Sequence, residues 1–260
     1  MKGPALVDIG EDSVTKYMEF LAARGNTPRT IDKKVGAVRA LFNFAKKQKL
    51  FKGENPAADR NLLTRKQKNA AGSKPFDLAD IQTLFGNAQF AQSKTTEPGF
   101  YWITTLGLIT GVRVSALAAL TKAAFKISPA GTHYIYIDKD KTEAGKRPVP
   151  LPKEFFVPLF EFVKSSGGFN FQERPDGKGA SDPVRKLLDA HKKAIGYEGG
   201  KQTFHSFRKT FNNFLMHSKV PIEARCQIIG HELDHVNVQV YGQEYSLEEL
   251  AEMVVPRCPL

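Results

Sequence analysis

Two arginines and two histidines in this sequence are of the types that stabilise a phosphodiester under attack. Arg113 lies in TGVRVSAL, His205 and Arg208 are three residues apart in HSFRKT, and His231 ends IIGH. The attacked phosphate gathers negative charge on its non-bridging oxygens, which guanidinium groups can clamp with paired hydrogen bonds. Arg113 and Arg208 fit that role. His205 shares a helical face with Arg208 and could donate to the phosphate or accept a proton, and His231 could add a further hydrogen bond.

Two tyrosines in VQVYGQEYS are candidate nucleophiles. A tyrosine hydroxyl has a pKa of about 10, and clustered positive charge helps it to react as the phenolate. Tyr241 is followed by Gly242, which lets the chain turn towards a tail helix. Tyr245 directly precedes Ser246, a plausible cap of that helix, which favours a packing role. We therefore predict that Tyr241 is the nucleophile.

The order of these residues resembles the active-site series of the tyrosine recombinase family, also called phage integrases, over residues 8–254. That series is Arg, a hairpin Lys, His-x-x-Arg, Gly-His and Tyr, and Tyr241 follows His231 by ten positions, which is within the family's usual range. The resemblance implies that Lys141, in DKTEAGKRPVPL, protonates the leaving oxygen, with Lys139 and Lys146 as neighbouring alternatives. It also implies that Tyr241 forms a 3′-phosphotyrosyl bond to DNA.

The same resemblance sets the expected partners. They are double-stranded DNA, three further copies of the chain in a tetramer on two duplexes, and an accessory DNA-bending protein. The chemistry requires no metal or other cofactor.

The sequence departs from the family pattern in two places. The family commonly has an acidic residue three positions after the first Arg, and this sequence has Ala116. An acid elsewhere, or water, would then have to take the remaining donors of Arg113. Many longer relatives also carry a small arm-type DNA-binding domain, whereas this sequence starts almost directly with the core-binding helices.

Composition and charge are consistent with a polyanion-binding protein. The 260 residues are 41% hydrophobic and carry a net charge of +11. Residues 1–75 hold 16 basic and 7 acidic residues, so most of the excess lies there. A solubilising basic surface is the alternative interpretation. No apolar run is long enough for a membrane-spanning helix, and two cysteines cannot form a disulfide framework, so we expect a cytoplasmic protein of a nucleoid or a mobile element.

The N-terminal third reads as a helical core-type DNA-binding domain, residues 1–70, with a basic linker to about residue 75. Apolar spacing predicts helices over 12–24 and from Pro28, capped by Thr27, to about Lys47. Residues 59–75 lose periodicity and read as the linker. The candidate DNA contacts in this part of the chain are Arg29, Lys33, Lys34, Arg39, Lys46, Lys47, Arg65, Lys66 and Lys68.

Residues 76–260 read as the catalytic domain, and the fold class is mainly α with a small β-hairpin or sheet. We predict two buried helices in 99–120, a hairpin from 133–138 and 146–151, and a tail helix over 247–254 that packs between neighbouring protomers. Further helices are predicted over 153–164, 182–195, 205–217 and 222–229.

Three other functions remain open at this stage. A type IB topoisomerase shares much of this chemistry, and a silent module would bind DNA without cutting it. His231 to His235 also spells H-E-x-x-H, the zinc-protease signature, which needs both imidazoles on one continuous helix. Gly230 before the motif and the Val-Asn-Val-Gln-Val run after it disfavour such a helix.

Overall fold

The fold is described for residues 5–70, 72–138, 145–171, 181–200, 202–231 and 244–258 in a computed structural model. The chain divides into two compact units, unit 1 over Met1–Gly72 and unit 2 over Ser73–Leu260.

Unit 1 is built on two helices that the apolar spacing predicts. They are α1, Glu11–Ala23, and α2, Pro28–Lys47. The Thr27 side chain accepts a hydrogen bond from the backbone N–H of Thr30 at 3.3 Å, which caps the start of α2. The facing apolar sides bury a small core of Val14, Leu21, Ile31, Val35 and Ala57.

A buried carboxylate orders the segment that the sequence analysis reads as a linker. That reading was wrong for Arg65–Ala70, which form helix α3. Asp32 of α2 accepts hydrogen bonds from the backbone N–H groups of Leu62 and Leu63 at 2.7 and 3.1 Å, and its carboxylate pairs with Lys68 Nζ at 2.8 Å. Burial alone would raise the pKa of Asp32, but these partners hold it below its ordinary value.

Unit 2 is mainly helical and packs around the helix α6, Pro98–Thr110, which is buried on nearly every side. Phe207 is fully buried in the same core as Ile103 and Leu106 of α6. The helices of unit 2 in the described ranges are α4, Leu78–Phe85; α5, Ala88–Thr96; α6; α7, Val114–Ala118; α8, Lys153–Ser166; α9, Ser181–Ala194; α10, Phe204–His217; α11, Ile222–Ile229; and α12, Leu247–Val254. Short 3-10 turns in the described part of the chain lie at Leu6–Asp8, Lys122–Ala124 and Val255–Arg257.

The predicted hairpin is part of a three-stranded antiparallel sheet in the order β1-β2-β3. The strands are β1, Phe125–Ile127; β2, His133–Ile137; and β3, Arg147–Pro150. Ile135 pairs with Phe125 on one side and with Val149 on the other. The first strand was not predicted, because three residues are too few to show alternation.

The tail helix α12 forms at its predicted bounds. Ser246 caps it, because its side-chain oxygen accepts a hydrogen bond from the Glu249 N–H at 3.2 Å. In turn, the Glu249 carboxylate accepts a hydrogen bond from the Ser246 N–H. Leu250 and Val254 of the tail are buried in their own unit in a cluster with residues of α10 and α11, and packing of the tail between protomers stays a prediction. Within the described ranges, no helix is long and apolar enough to cross a membrane.

Candidate active site

A left-handed glycine places Arg113 at the start of α7. Gly111 has φ 62° and ends α6, so it separates the two helices that the sequence predicts in 99–120. Two residues later, Arg113 is the N-cap of α7, and its carbonyl oxygen accepts from the N–H groups of Ala116 and Leu117 at 3.0 Å. The backbone of this turn therefore fixes the position of the Arg113 Cα atom, from which the half-buried side chain extends.

Arg208 of α10 joins the ends of two helices. Its side chain is buried, with 3% exposure, and Nη1 donates to the carbonyl oxygen of Gly111 at 3.0 Å. Its Nη2 donates to the carbonyl oxygen of Gly230 at 3.3 Å. Gly230 is left-handed like Gly111, with φ 72°, and ends α11. Arg113 follows Gly111 by two residues, and His231 follows Gly230 directly. The two hydrogen bonds of Arg208 therefore hold the backbone next to both residues.

An open cleft lies beside these residues. His205 stands in the first turn of α10, exposed to solvent and three residues before Arg208. The cleft has a volume of about 220 Å³. It is lined by Val112, Arg113, Val114, Ser115, Phe204, His205 and Arg208.

The electrostatics of the cleft favour neutral imidazoles. Desolvation, followed by the positive charges of Arg208 and Arg113, lowers the pKa of His231 to about 4. The same desolvation, with Arg208, Lys209 and Arg113, lowers the pKa of His205 from its ordinary value. At neutral pH each ring thus has one N–H donor and one nitrogen that can accept a proton. The four described residues of the predicted series, Arg113, His205, Arg208 and His231, share this one positive environment.

Sequence reasoning missed Arg147, a buried arginine of β3 with 4% exposure. Its Nε donates to the carbonyl oxygen of Ile228 at 2.7 Å and its Nη1 to that of Gly145 at 2.6 Å. Arg147 therefore ties the sheet to the last turn of α11, directly before His231. The signal in the sequence was the alternation in RPVP, which puts Arg147 on the same inward side as Val149.

Some predicted residues lie outside the described ranges. They are the general acid Lys141, its alternative Lys139, the nucleophile Tyr241, and residues 232–235 of the H-E-x-x-H motif. Tyr245, the alternative nucleophile, is described. Its side chain packs against the cluster beneath α12, and its backbone is hydrogen bonded to Gln227 of α11.

Ala116, which stands where the family commonly has an acid, is buried in the core of unit 2 with 3% exposure. Its methyl group packs with apolar residues, so this position supplies core volume.

The predicted DNA contacts of unit 1 fall into two groups. Arg39 and Lys68 are partly buried; Arg39 Nε donates to the carbonyl oxygen of Ala57 at 2.8 Å, and Lys68 pairs with Asp32. These contacts order unit 1 itself. The exposed group comprises Arg29, Lys33, Lys34, Lys46, Lys47, Arg65 and Lys66.

Known recombinases are similar to this chain in sequence. No family model matches the chain. It is 24% identical over 279 residues to the tyrosine recombinase XerD of Caulobacter vibrioides, an alignment that covers 99% of this chain and 84% of that protein. The chain resembles the tyrosine recombinases in sequence. The XerD of Bradyrhizobium diazoefficiens is also 24% identical, over 48% of this chain and 40% of that protein.

Solved integrase structures share the fold of this chain. A lambda integrase dimer bound to a COC′ core site superposes with a TM-score of 0.64 at 14% identity, covering 95% of this chain and 85% of that one. A lambda integrase tetramer bound to a Holliday junction has a TM-score of 0.64 at 16% identity, over 91% and 68% of the two chains. The Tn1549 transposon integrase in complex with circular intermediate DNA gives 0.61 at 16% identity, over 94% and 85%.

Proposed function

We propose that this chain is a site-specific DNA recombinase that breaks and rejoins DNA through a 3′-phosphotyrosyl intermediate. The observation that carries the proposal is the position of Arg208, whose guanidinium contacts both Gly111 and Gly230. That contact gathers Arg113, His205 and His231 in one positively charged environment, which is what a phosphoryl-transfer transition state requires.

Each group has a role in the proposed step. The Tyr241 oxygen bonds to phosphorus while the bond from phosphorus to the 5′-oxygen breaks. The tyrosyl proton passes to His205, whose lowered pKa keeps it neutral, and Lys141 protonates the leaving 5′-oxygen. Arg113 and Arg208 stabilise the charge on the non-bridging oxygens, and His231 adds a hydrogen bond. Attack by a 5′-hydroxyl of a partner duplex reverses the step and rejoins the strands.

Unit 1 supplies most of the DNA affinity in this proposal. Its exposed cations on α2 and α3 contact phosphates, and the basic excess of residues 1–75 steers the duplex to the chain. The working assembly is a tetramer on two duplexes, as seen for lambda integrase on a Holliday junction. An accessory protein that bends the duplex would assist assembly.

The test is whether a covalent adduct forms in the presence of chelator. A duplex enriched for binding from a randomised library is prepared with a nick placed in turn at each phosphate, so that the released end diffuses away. We expect wild type and Tyr245→Phe to give a denaturation-resistant adduct in EDTA, and Tyr241→Phe to bind the duplex without one. Binding by wild type with no adduct at any nick position contradicts the proposal.

The same material separates the other candidate functions. A type IB topoisomerase would relax supercoiled plasmid without a preferred site or partner duplex, and a silent module would bind without reacting. A zinc protease would lose its activity in chelator. The described surroundings of His231 disfavour zinc, because Arg208 and Arg113 would repel a cation there.

A further inference from the structure

Gln227 of α11 pairs with both backbone polar groups of Tyr245. Its Nε2 donates to the Tyr245 carbonyl oxygen at 2.8 Å, and the Tyr245 N–H donates to its Oε1 at 3.0 Å. A carboxamide has the same donor and acceptor as a peptide group, so Gln227 acts on Tyr245 as a neighbouring strand would. Glutamate of the same size has no donor for the carbonyl oxygen, and methionine has neither group.

Other contacts hold Tyr245 at the same place. Its ring packs against the apolar cluster that includes Leu250 of α12. The next residue, Ser246, is the N-cap of α12. Gln227 therefore fixes the backbone where the chain enters the tail helix, and it does so from α11, which also leads to His231.

Chain length makes this anchor important for the nucleophile. Tyr241 is four positions before Tyr245 in the sequence, and an extended chain of that length spans at most about 14 Å, at about 3.6 Å per residue. Tyr241 is ten positions after His231, which allows about 36 Å by the same measure. The link to Tyr245 therefore restricts the position of the nucleophile more than the link to His231 does.

We propose that Gln227 is a positioning residue for strand cleavage, which holds the chain beyond Tyr241 so that its hydroxyl reaches the phosphate beside Arg208. The proposal rests on the proposed function, in which Tyr241 is the nucleophile. In this proposal Gln227 acts only through its two bonds to the Tyr245 backbone. Its loss should therefore slow adduct formation and leave DNA affinity unchanged.

The test compares Gln227→Glu and Gln227→Met with the control Gln82→Glu, which adds the same charge at an exposed position of α4. Adduct formation is measured at saturating nicked duplex, DNA affinity by fluorescence anisotropy, stability by the urea midpoint, and protection of the Tyr245 amide by hydrogen exchange. A displacement of about 1 Å costs on the order of 100-fold in rate, so we expect both variants to react about 10- to 100-fold more slowly. Affinity should stay within about twofold, and the control should match wild type.

The outcomes separate this proposal from the function on which it rests. If wild type forms no adduct, or its adduct maps away from Tyr241, the proposed function fails. If wild type reacts at Tyr241 and both Gln227 variants react as fast, only the positioning role fails. A rate loss matched by an equal loss of DNA affinity or of the urea midpoint assigns Gln227 a structural role and overturns the proposal. Slower reaction with reduced Tyr245 amide protection, and with affinity and midpoint retained, supports it.

Discussion

A methyl group at Gly111 should slow adduct formation and lower stability by more than the backbone strain of a left-handed alanine explains. Gly111→Ala would place a Cβ 3.0 Å from Cδ1 of Phe211 and 3.4 Å from Cα of Arg208. The matched control is Gly196→Ala in the same unit. Gly196 has φ 65°, against 62° at Gly111, and a Cβ there meets nothing within 4 Å. The two variants therefore carry the same backbone strain and differ in what the methyl group contacts.

The expected magnitudes follow from these contacts. A left-handed alanine costs roughly 1–2 kcal/mol, and the lower freedom of alanine in the unfolded chain offsets about 0.4–1 kcal/mol of that. Both variants should thus lose about 1 kcal/mol. Crowding against Phe211 and Arg208 adds about 1–3 kcal/mol for Gly111→Ala alone. Because Arg208 also bonds the Gly111 carbonyl, a shift of about 1 Å should slow adduct formation by on the order of 100-fold.

Urea unfolding followed by the fluorescence of Trp102, the single tryptophan, reports the stability of unit 2 in both variants. Single-turnover adduct formation at saturating duplex reports the site. We expect Gly196→Ala to react like wild type and Gly111→Ala to be both less stable and slower. Equal stability and equal rates in the two variants would refute the inference that the close approach of α10 to Gly111 organises the site.

Three further predictions concern charge. Arg113→Ala or Arg208→Ala should lower the adduct-formation rate by on the order of 10² to 10³ while the DNA remains bound, and near-normal cleavage by either variant would remove that arginine from the site. The log-log dependence of DNA affinity on salt should flatten by about one unit for each phosphate that the double variant Lys33→Ala/Lys34→Ala no longer neutralises, and affinity that is almost independent of salt would contradict binding through unit 1. The pKa of His231 is lowered from 6.5 to about 4 in the folded chain, so the unfolded chain takes up its proton first and the urea midpoint should fall as the pH drops from 6.5 towards 4. His231→Gln should remove part of that fall, and an identical pH profile for the variant and wild type would show that His231 is not desolvated.

The regular elements could be predicted from the sequence because their signals are local. Thr27 before Pro28 and the apolar repeat that follows give α2 at its observed bounds. The helix α3 could not be predicted in the same way. It has six residues and is held by Asp32, whose partners lie about thirty residues away in sequence.

Local sequence signals also predict one part of the candidate site and not the other. His205 and Arg208 stand out because three residues on a helix place two side chains on one face. The contacts that assemble the site are not local. Arg147 reaches Ile228 across 81 residues, and Arg208 reaches Gly111 across 97. Periodicity within one element carries no information on such distant pairs, so these two roles were visible only in the fold.

The central claim is that Tyr241 carries the DNA through a 3′-phosphate, and mapping the trapped complex tests it most directly. Wild type is trapped on the selected nicked duplex in EDTA, digested with protease and nuclease, and the modified peptide is sequenced by mass spectrometry. A polynucleotide kinase assay on the released strand then reports whether its 5′ end is a free hydroxyl. We predict a phosphotyrosyl nucleotide on Tyr241 and a released strand that the kinase labels directly. A nucleotide on Tyr245, or a released strand that already has a 5′-phosphate, would contradict the claim.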